Sequence, residues 1–356
     1  MHHKKTNTLK RRGRAMIIVG TIFLTILASL TIWILIAGPK LPAETDAIID
    51  EVLNNELPEL FTGKTGVVTS DGLDIWYESI SPEGQSKGTV LLNIGMGASA
   101  LDWPPKFVRE FVDSGYQVIR YDQRGTGMSD WVADWDSKNP YSLADMAEDA
   151  VAVLDALEIN EAHIVGLSMG GMIAQEIAIN HPDRVTTLTL MLTTGHAVDP
   201  EMPGLTSRYF ISTMVKGIPL LKYRIAGGEK NLIKERIAKT ISGLGYEELD
   251  IKEIAETVLY DLRKRKGLNF RGVLQHRKAV EVSPSRYEKL KTIDIPTIVI
   301  HGTDDQFIPI EHGKKLVELI PNAKGLWIDG MGHVFPFPNM SELMKKILLH
   351  LDDAHR

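Results

Sequence analysis

The stretch Gly166-Leu167-Ser168-Met169-Gly170-Gly171 limits what this chain can fold into more than any other. An apolar run, Ala162-His163-Ile164-Val165, leads into it, and a helix-patterned one, Met172 to Asn180, leads out of it. The residues therefore spell strand, tight turn, helix. A strand turning this sharply into a helix strains the backbone of the residue at the tip. Small neighbours such as Gly166 and Gly170 let the chain segments pass that closely. The turn lifts the Ser168 hydroxyl clear of the sheet. It also aims the first N–H groups of the helix, with the positive end of the helix dipole behind them, at any oxyanion formed there. Ser168 is the candidate nucleophile, and it requires a base, an acid and a second oxyanion donor.

The surrounding pattern supplies a scaffold for that turn. Two alternating runs, Gly66 to Thr69 and Leu73 to Glu78, flank Ser70-Asp71-Gly72 and predict a hairpin. Strand and helix patterns then alternate: Thr89 to Ile94, Lys106 to Ser114, Tyr116 to Tyr121, Leu143 to Leu157, His163 to Leu167, Met172 to Asn180 and Val185 to Leu192. Ser142 with Asp145 forms a capping box for the second of these helices. Apolar strands interleaved with helices predict a mostly parallel sheet covered on both faces. The alternation stops after Thr194, and the intervening residues carry helical periodicity at Asn231 to Leu244 and Ile251 to Arg265. Strands return at Thr297 to Ile300 and Ala323 to Ile328, and a closing helix runs from about Met340 to Leu351. The expected organisation is a core of residues 65–194 and 286–356, with residues 195–285 as a helical cap over the strand ends.

Chain order Ser, acid, His suits this kind of sheet. The acid candidates are Asp304 and Asp305, just past the strand ending at Ile300, with Asp305 favoured by its spacing from Gly302 and Pro309. Of the 11 histidines, His333 in Gly330-Met331-Gly332-His333-Val334-Phe335-Pro336 combines a glycine-flanked loop, a strand end and the right order. His196 and His276 fall in or beside the cap, where a surface role is expected. The loop Gly95-Met96-Gly97-Ala98-Ser99 should offer the Met96 N–H as second oxyanion donor beside that of Met169. A helical cap over methionine-lined loops suggests an apolar acyl or alcohol group on a small-molecule substrate. The same loop also fits a dinucleotide fingerprint, Gly95-x-Gly97-x-x-Ala100, with Asp122 about 20 residues on. That nicotinamide-dehydrogenase alternative suffers from Trp103-Pro104-Pro105, which delays the helix the glycines should open.

The sequence contains no cysteine, which excludes a thiol nucleophile, disulfides and thiolate metal sites. No H-E-x-x-H or close His/Asp cluster is present, and neither a metal nor a cofactor is expected. Residues 1–14 carry six basic residues and no acid, and residues 15–37 are apolar and uncharged. A helix of that length crosses a hydrocarbon core of roughly 30 Å, so an uncleaved transmembrane anchor is expected, followed by a linker at 38–64, with a cleavable signal as the alternative, for which no clear A-x-A site follows. The positive-inside rule puts the basic tail in the cytoplasm and the catalytic domain outside it. Without those six charges the net charge moves from −6 to −12, unsuited to nucleic acid. The run Arg263-Lys264-Arg265-Lys266 is expected to be a solvated helix face.

Taken together, the turn at Ser168, the Asp122-Gln123-Arg124-Gly125-Thr126-Gly127-Met128-Ser129 loop, Gly302 to Pro309 and Gly330 to Pro336 resemble the α/β-hydrolases. Within them, Ser99-Ala100-Leu101-Asp102-Trp103-Pro104, Arg120-Tyr121-Asp122 and Val165 to Met169 are most similar to the aclacinomycin methylesterase group. The resemblance implies carboxylic-ester hydrolysis with Ser168, Asp305 and His333 in the triad roles. There is a departure: where many members have a histidine before the loop glycine, this chain has Ile94. A tethered ligand-binding receptor with little turnover and an acyltransferase are the alternatives on the same fold.

Overall fold

The computed structural model describes residues 2–203, 215, 217–244, 249–333 and 340–353. The chain falls into two compact units, residues 1–56 with 210–258, and residues 57–209 with 259–356.

The smaller unit is helical. Helix α1 spans His2–Ile36, and within it Ile17–Ile36 is an apolar stretch of 20 residues, none of them buried, long enough to cross a membrane. The last carbonyls of a helix lack intrahelical partners. Here Lys222 Nζ reaches the carbonyls of Leu35 at 3.3 Å and Ala37 at 2.9 Å. Helix α2, Thr45–Asn54, buries Ile49 and Val52 and turns its acids outward. Lys230 and Lys234 pair with Asp46, Lys230 also with Asp50, and Lys252 with Glu51.

The larger unit is built on a sheet of eight strands. Strands β1, Lys64–Ser70, and β2, Leu73–Ile80, form the antiparallel hairpin, with Asp71 and Gly72 both at positive φ in the turn. The others are β3, Thr89–Asn93; β4, Gln117–Tyr121; β5, Ala162–Leu167; β6, Val185–Met191; β7, Thr297–Gly302; and β8, Lys324–Ile328. They lie side by side in the order β1-β2-β4-β3-β5-β6-β7-β8. Strand β2 meets β4 antiparallel, and every pairing from β4 to β8 is parallel.

Helices cover both faces of this sheet. Helix α3, Pro105–Asp113, and the closing helix Met340–Asp353 bury one face through Phe107, Phe111, Met344 and Ile347. Helices α4, Leu143–Ala156, and α5, Met169–Asn180, bury the other through Met146, Ala150, Leu154, Ile173 and Ile177. Strands such as β3 and β5 are buried on both sides, which explains the continuous apolar runs in their sequence.

The Ser142 side chain accepts from the Asp145 amide, and the Asp145 carboxylate accepts from the Ser142 amide, completing the expected capping box. Between β6 and β7 the regular elements among the described residues are all helical, the longest being Glu229–Leu244, Ile251–Lys264 and Phe270–Val282. The helices Phe270–Val282 and Ile310–Leu319 are additions to the elements that the periodicity predicts. Each is short and mixes polar residues into its apolar stripe.

The strand order sets the place for chemistry. The chain leaves β3 toward β4 on one side, then returns past β3 to form β5 on the other. Such a reversal leaves a crevice at the carboxyl ends of the two strands, where open α/β sheets bind ligands. The loops after β3 and β5 open there.

Candidate active site

The turn after β5 is built as its residues demand. Ser168 sits at φ 56°, ψ −118°, outside the comfortable regions for an L-residue. A Cβ on Gly166 would lie 2.4 Å from the Gly170 carbonyl oxygen, and one on Gly170 would lie 2.0 Å from that of Asn93. No side chain fits at either position. The Ser168 amide donates to Met191 O at 2.8 Å and its carbonyl accepts from Thr193 Oγ1 at 2.7 Å, so the tip is fixed from both sides.

Two loops from farther along the sheet meet it. His333, past the end of β8, places Nε2 3.1 Å from Ser168 Oγ. Its Nδ1 lies 2.8 Å from Oδ2 of Asp305, which follows the end of β7. The Asp305 side chain is fully buried, and its Oδ1 accepts from the amides of Phe307 at 2.9 Å and Ile308 at 2.8 Å. Burial works against a charge on Asp305, but the bonds from His301, His333 and the Ile308 amide outweigh it and hold the carboxyl down to about 2. An ionised, immobile acceptor of this kind keeps the proton of the imidazole on Nδ1 and leaves Nε2 free to accept from a hydroxyl. Asp304, the other acid candidate, is exposed, and its amide bonds to Met331 O. The Phe307 ring stands edge-on to the His333 ring at 4.8 Å between centroids. Val334, Phe335 and Pro336 of the histidine motif lie outside the described residues.

The loop Gly95–Ser99 passes directly beside the serine: a Cβ on Gly95 would touch Leu167 O and Ser168 Cβ at 3.6 Å. Among the described residues, the amides of Met96 and Met169 have no acceptor within the chain. The loop is secured at its flanks. Gln123 donates to Ile94 O at 2.8 Å, and the Ala100 amide donates to Asp122 Oδ1 at 2.8 Å. Ser99 opens a short 3₁₀ turn with Asp102 in a capping box.

Two expectations fail in this region, and one alternative falls with them. His276 is not on the surface: it is fully buried, with Nδ1 accepting from the Gly97 amide at 3.1 Å and Nε2 donating to Arg124 O at 2.7 Å. Burial pushes this imidazole down to about 4, so it is neutral and can accept and donate at once. The helix Phe270–Val282 buries Gly272, Gln275, His276, Ala279 and Val280, a spacing that marks one inward face and would have identified the histidine as internal. His196 is half-buried, its ring edge-on to that of Tyr287. Nor is the whole run from Arg263 to Lys266 solvated. The Arg265 side chain is 3% exposed, paired with Asp122, and its guanidinium lies 4.6 Å from the Phe61 ring and 4.7 Å from the Trp76 ring. Lys266 donates to the carbonyls of Met128 and Ser129. The dinucleotide fingerprint fails because Asp122 is fully buried, with both carboxylate oxygens taken up by Ala100, Met128 and Arg265 rather than offered to a ribose. Among the described residues no group of three or more acids and histidines could hold a metal.

Comparison with known proteins identifies the family to which the fold belongs. A family model described as the alpha/beta hydrolase fold matches residues 88–339. The chain is 32% identical over 305 residues to rhodomycin D methylesterase DauP of Streptomyces sp. strain C5, covering 80% of this chain and 97% of that protein. It is 30% identical over 299 residues to rhodomycin D methylesterase DnrP of Streptomyces peucetius, with the same coverage. Among solved structures, the esterase RhEst1 from Rhodococcus sp. ECU1013 superposes with a TM-score of 0.62 at 21% identity, over 82% of this chain and 99% of that one. This last likeness speaks to the fold alone.

Proposed function

This chain belongs to the α/β-hydrolase fold family and is a hydrolytic enzyme of its esterase type, and on that premise we propose that it cleaves carboxylic esters through an acyl-enzyme on Ser168. The observation that carries the reading is the hydrogen-bonded series Ser168–His333–Asp305, at 3.1 and 2.8 Å, with Asp305 held ionised.

In the proposed mechanism His333 Nε2 takes the Ser168 proton as Oγ bonds to the ester carbonyl carbon, and the carbonyl oxygen becomes an oxyanion. The amides of Met96 and Met169 receive that charge, with the amino end of α5 behind the second. Collapse breaks the carbon–oxygen bond to the alcohol, which leaves with the proton from His333. Water then attacks the acyl-enzyme, giving its proton to the same nitrogen, and the second collapse returns the proton to Ser168. Asp305 fixes the imidazole and stabilises its charged form. Met96, which follows the Gly95 that passes beside the serine, and Phe307 beside His333 support an apolar group on the substrate.

The enzyme is proposed to be tethered, with Ile17–Ile36 crossing the membrane once, the basic tail in the cytoplasm and the catalytic unit outside. The test is turnover of p-nitrophenyl esters of graded acyl length by the full chain in detergent, beside Ser168→Ala. Activity that survives Ser168→Ala overturns the reading. Protease protection of the amino-terminal tail in sealed, right-side-out spheroplasts tests the orientation separately.

A further inference from the structure

The loop that carries Met96 contains no polar side chain that could hold it in shape at its centre. Ile94 is 2% exposed and sits in the apolar cluster with Val90, Leu92 and Trp103. Met96 and Ala98 are apolar, and Ser99 is spent on the 3₁₀ turn. Gln123 and Asp122 secure only the two ends of the loop. The middle, at Gly97, has φ 69°, within a turn that the Ala98 amide closes on Gly95 O at 3.3 Å, and no side chain of the loop itself holds that turn against the rest of the site.

A hold from outside the loop comes from a distant part of the chain. His276 accepts from the Gly97 amide with one ring nitrogen and donates to Arg124 O with the other. The same helix turns Val273 against Gly97, where a Cβ would meet it at 2.5 Å, and Gly272 against Gly125, where a Cβ would lie 2.4 Å from the carbonyl oxygen. Arg124 is in turn anchored by a two-bond ion pair to the buried Asp149, at 2.6 and 2.7 Å. The imidazole is thus a rigid bridge between a fixed point and the peptide after Met96.

We infer that His276 is a positioning residue for the oxyanion pocket: by holding the Gly97 amide it sets the preceding peptides of the loop, so that the Met96 N–H faces the reacting carbonyl. This role rests on the oxyanion function proposed above for Met96.

The experiment uses the full chain in detergent with His276→Leu, which removes both bonds, and His276→Gln, whose amide keeps one acceptor and one donor. Removing an oxyanion donor outright costs about 10²–10³ in kcat, and a mispositioned one should cost about 10–100-fold. His276→Leu should show that loss in kcat with KM nearly unchanged. Its affinity for a trifluoromethyl ketone, which forms an oxyanion on Ser168, should fall by the same factor. His276→Gln should recover most of both. An unchanged kcat and ketone affinity in folded His276→Leu overturns the inference, and so does a loss confined to KM. Should His276→Leu fail to fold, ¹⁵N-histidine spectra of the wild type decide: a His276 Nδ1 resonance that does not move when the ketone binds also overturns it. Turnover that survives Ser168→Ala would instead sink the catalytic reading, so the two failures are distinguishable.

Discussion

The turn at Ser168 and the loop facing it are secured by different means. The turn is fixed mainly by backbone: glycines that admit no side chain, an amide bonded to Met191 O, and the close passage of Gly170 past Asn93, with Thr193 Oγ1 bonded to the carbonyl at its tip. The loop Gly95–Ser99 is fixed by side chains from remote parts of the sequence, with Gln123 and Asp122 at its ends, His276 at its middle and Arg265 behind Asp122. One half of the pocket therefore depends on short-range geometry, and the other on buried polar groups brought in from distant elements. Substitutions should separate the two: changes in the turn destroy function or folding outright, whereas changes behind the loop act in graded steps.

The largest effect is expected at the tip. Ser168→Ala should lower kcat on p-nitrophenyl esters by about 10⁴-fold or more while changing the thermal midpoint little, since His333 keeps its bond to Asp305 when the hydroxyl is lost. Equal turnover in the two proteins would remove the turn from the chemistry. Next, Gly170→Ala places a Cβ 2.0 Å from Asn93 O, and soluble folded protein should not be recovered. Circular dichroism showing a native-like variant would mean that the turn is looser than its contacts indicate.

Behind the loop, Arg265→Met strands the buried Asp122 and should cost about 3–5 kcal/mol in denaturant unfolding. Adding Asp122→Asn should restore part of that loss, and no restoration would show that the pair is not coupled. The His276 bridge adds a pH signature. Its imidazole is held at about 4 when folded against an ordinary value of 6.5, so between those values the unfolded chain takes up a proton that the folded one refuses. Stability should fall as the pH drops from about 6.5 to about 4, by up to about 3 kcal/mol, and then level off for this group. His276→Gln should flatten that window. Asp305 loses its own contribution at lower pH, as the pH falls through 3.8 toward about 2, so its loss follows that of His276. The smallest effect is expected at Gly95→Ala, where a Cβ meets only ordinary contacts at 3.6 Å, and stability should change by less than about 1 kcal/mol.

The same division explains what could be read from the residues alone. The turn, the hairpin and the parallel strands announce themselves because glycine placement, alternation and apolar runs are local signals. Asp305 and His333 follow from loops at strand ends, and the structure places them within hydrogen-bonding distance of each other, with His333 also reaching Ser168. The supports of the loop have no local signal that names their partners. Arg265 sits among basic neighbours, and only the approach of Phe61, Trp76 and Asp122 from elsewhere in the chain makes it internal. His276 is separated from Gly97 by 179 residues, so its partner could not be named from the sequence even if its inward face had been.

The backbone of Ser168 carries a further implication for what the tip of the turn costs the fold. At φ 56°, ψ −118° a glycine would sit with less strain than a serine, because the Cβ is what makes the region unfavourable. On the mechanism proposed above, that strain is the folding cost of presenting a hydroxyl at this point, so the residue best suited to the chemistry and the residue best suited to the backbone are different ones.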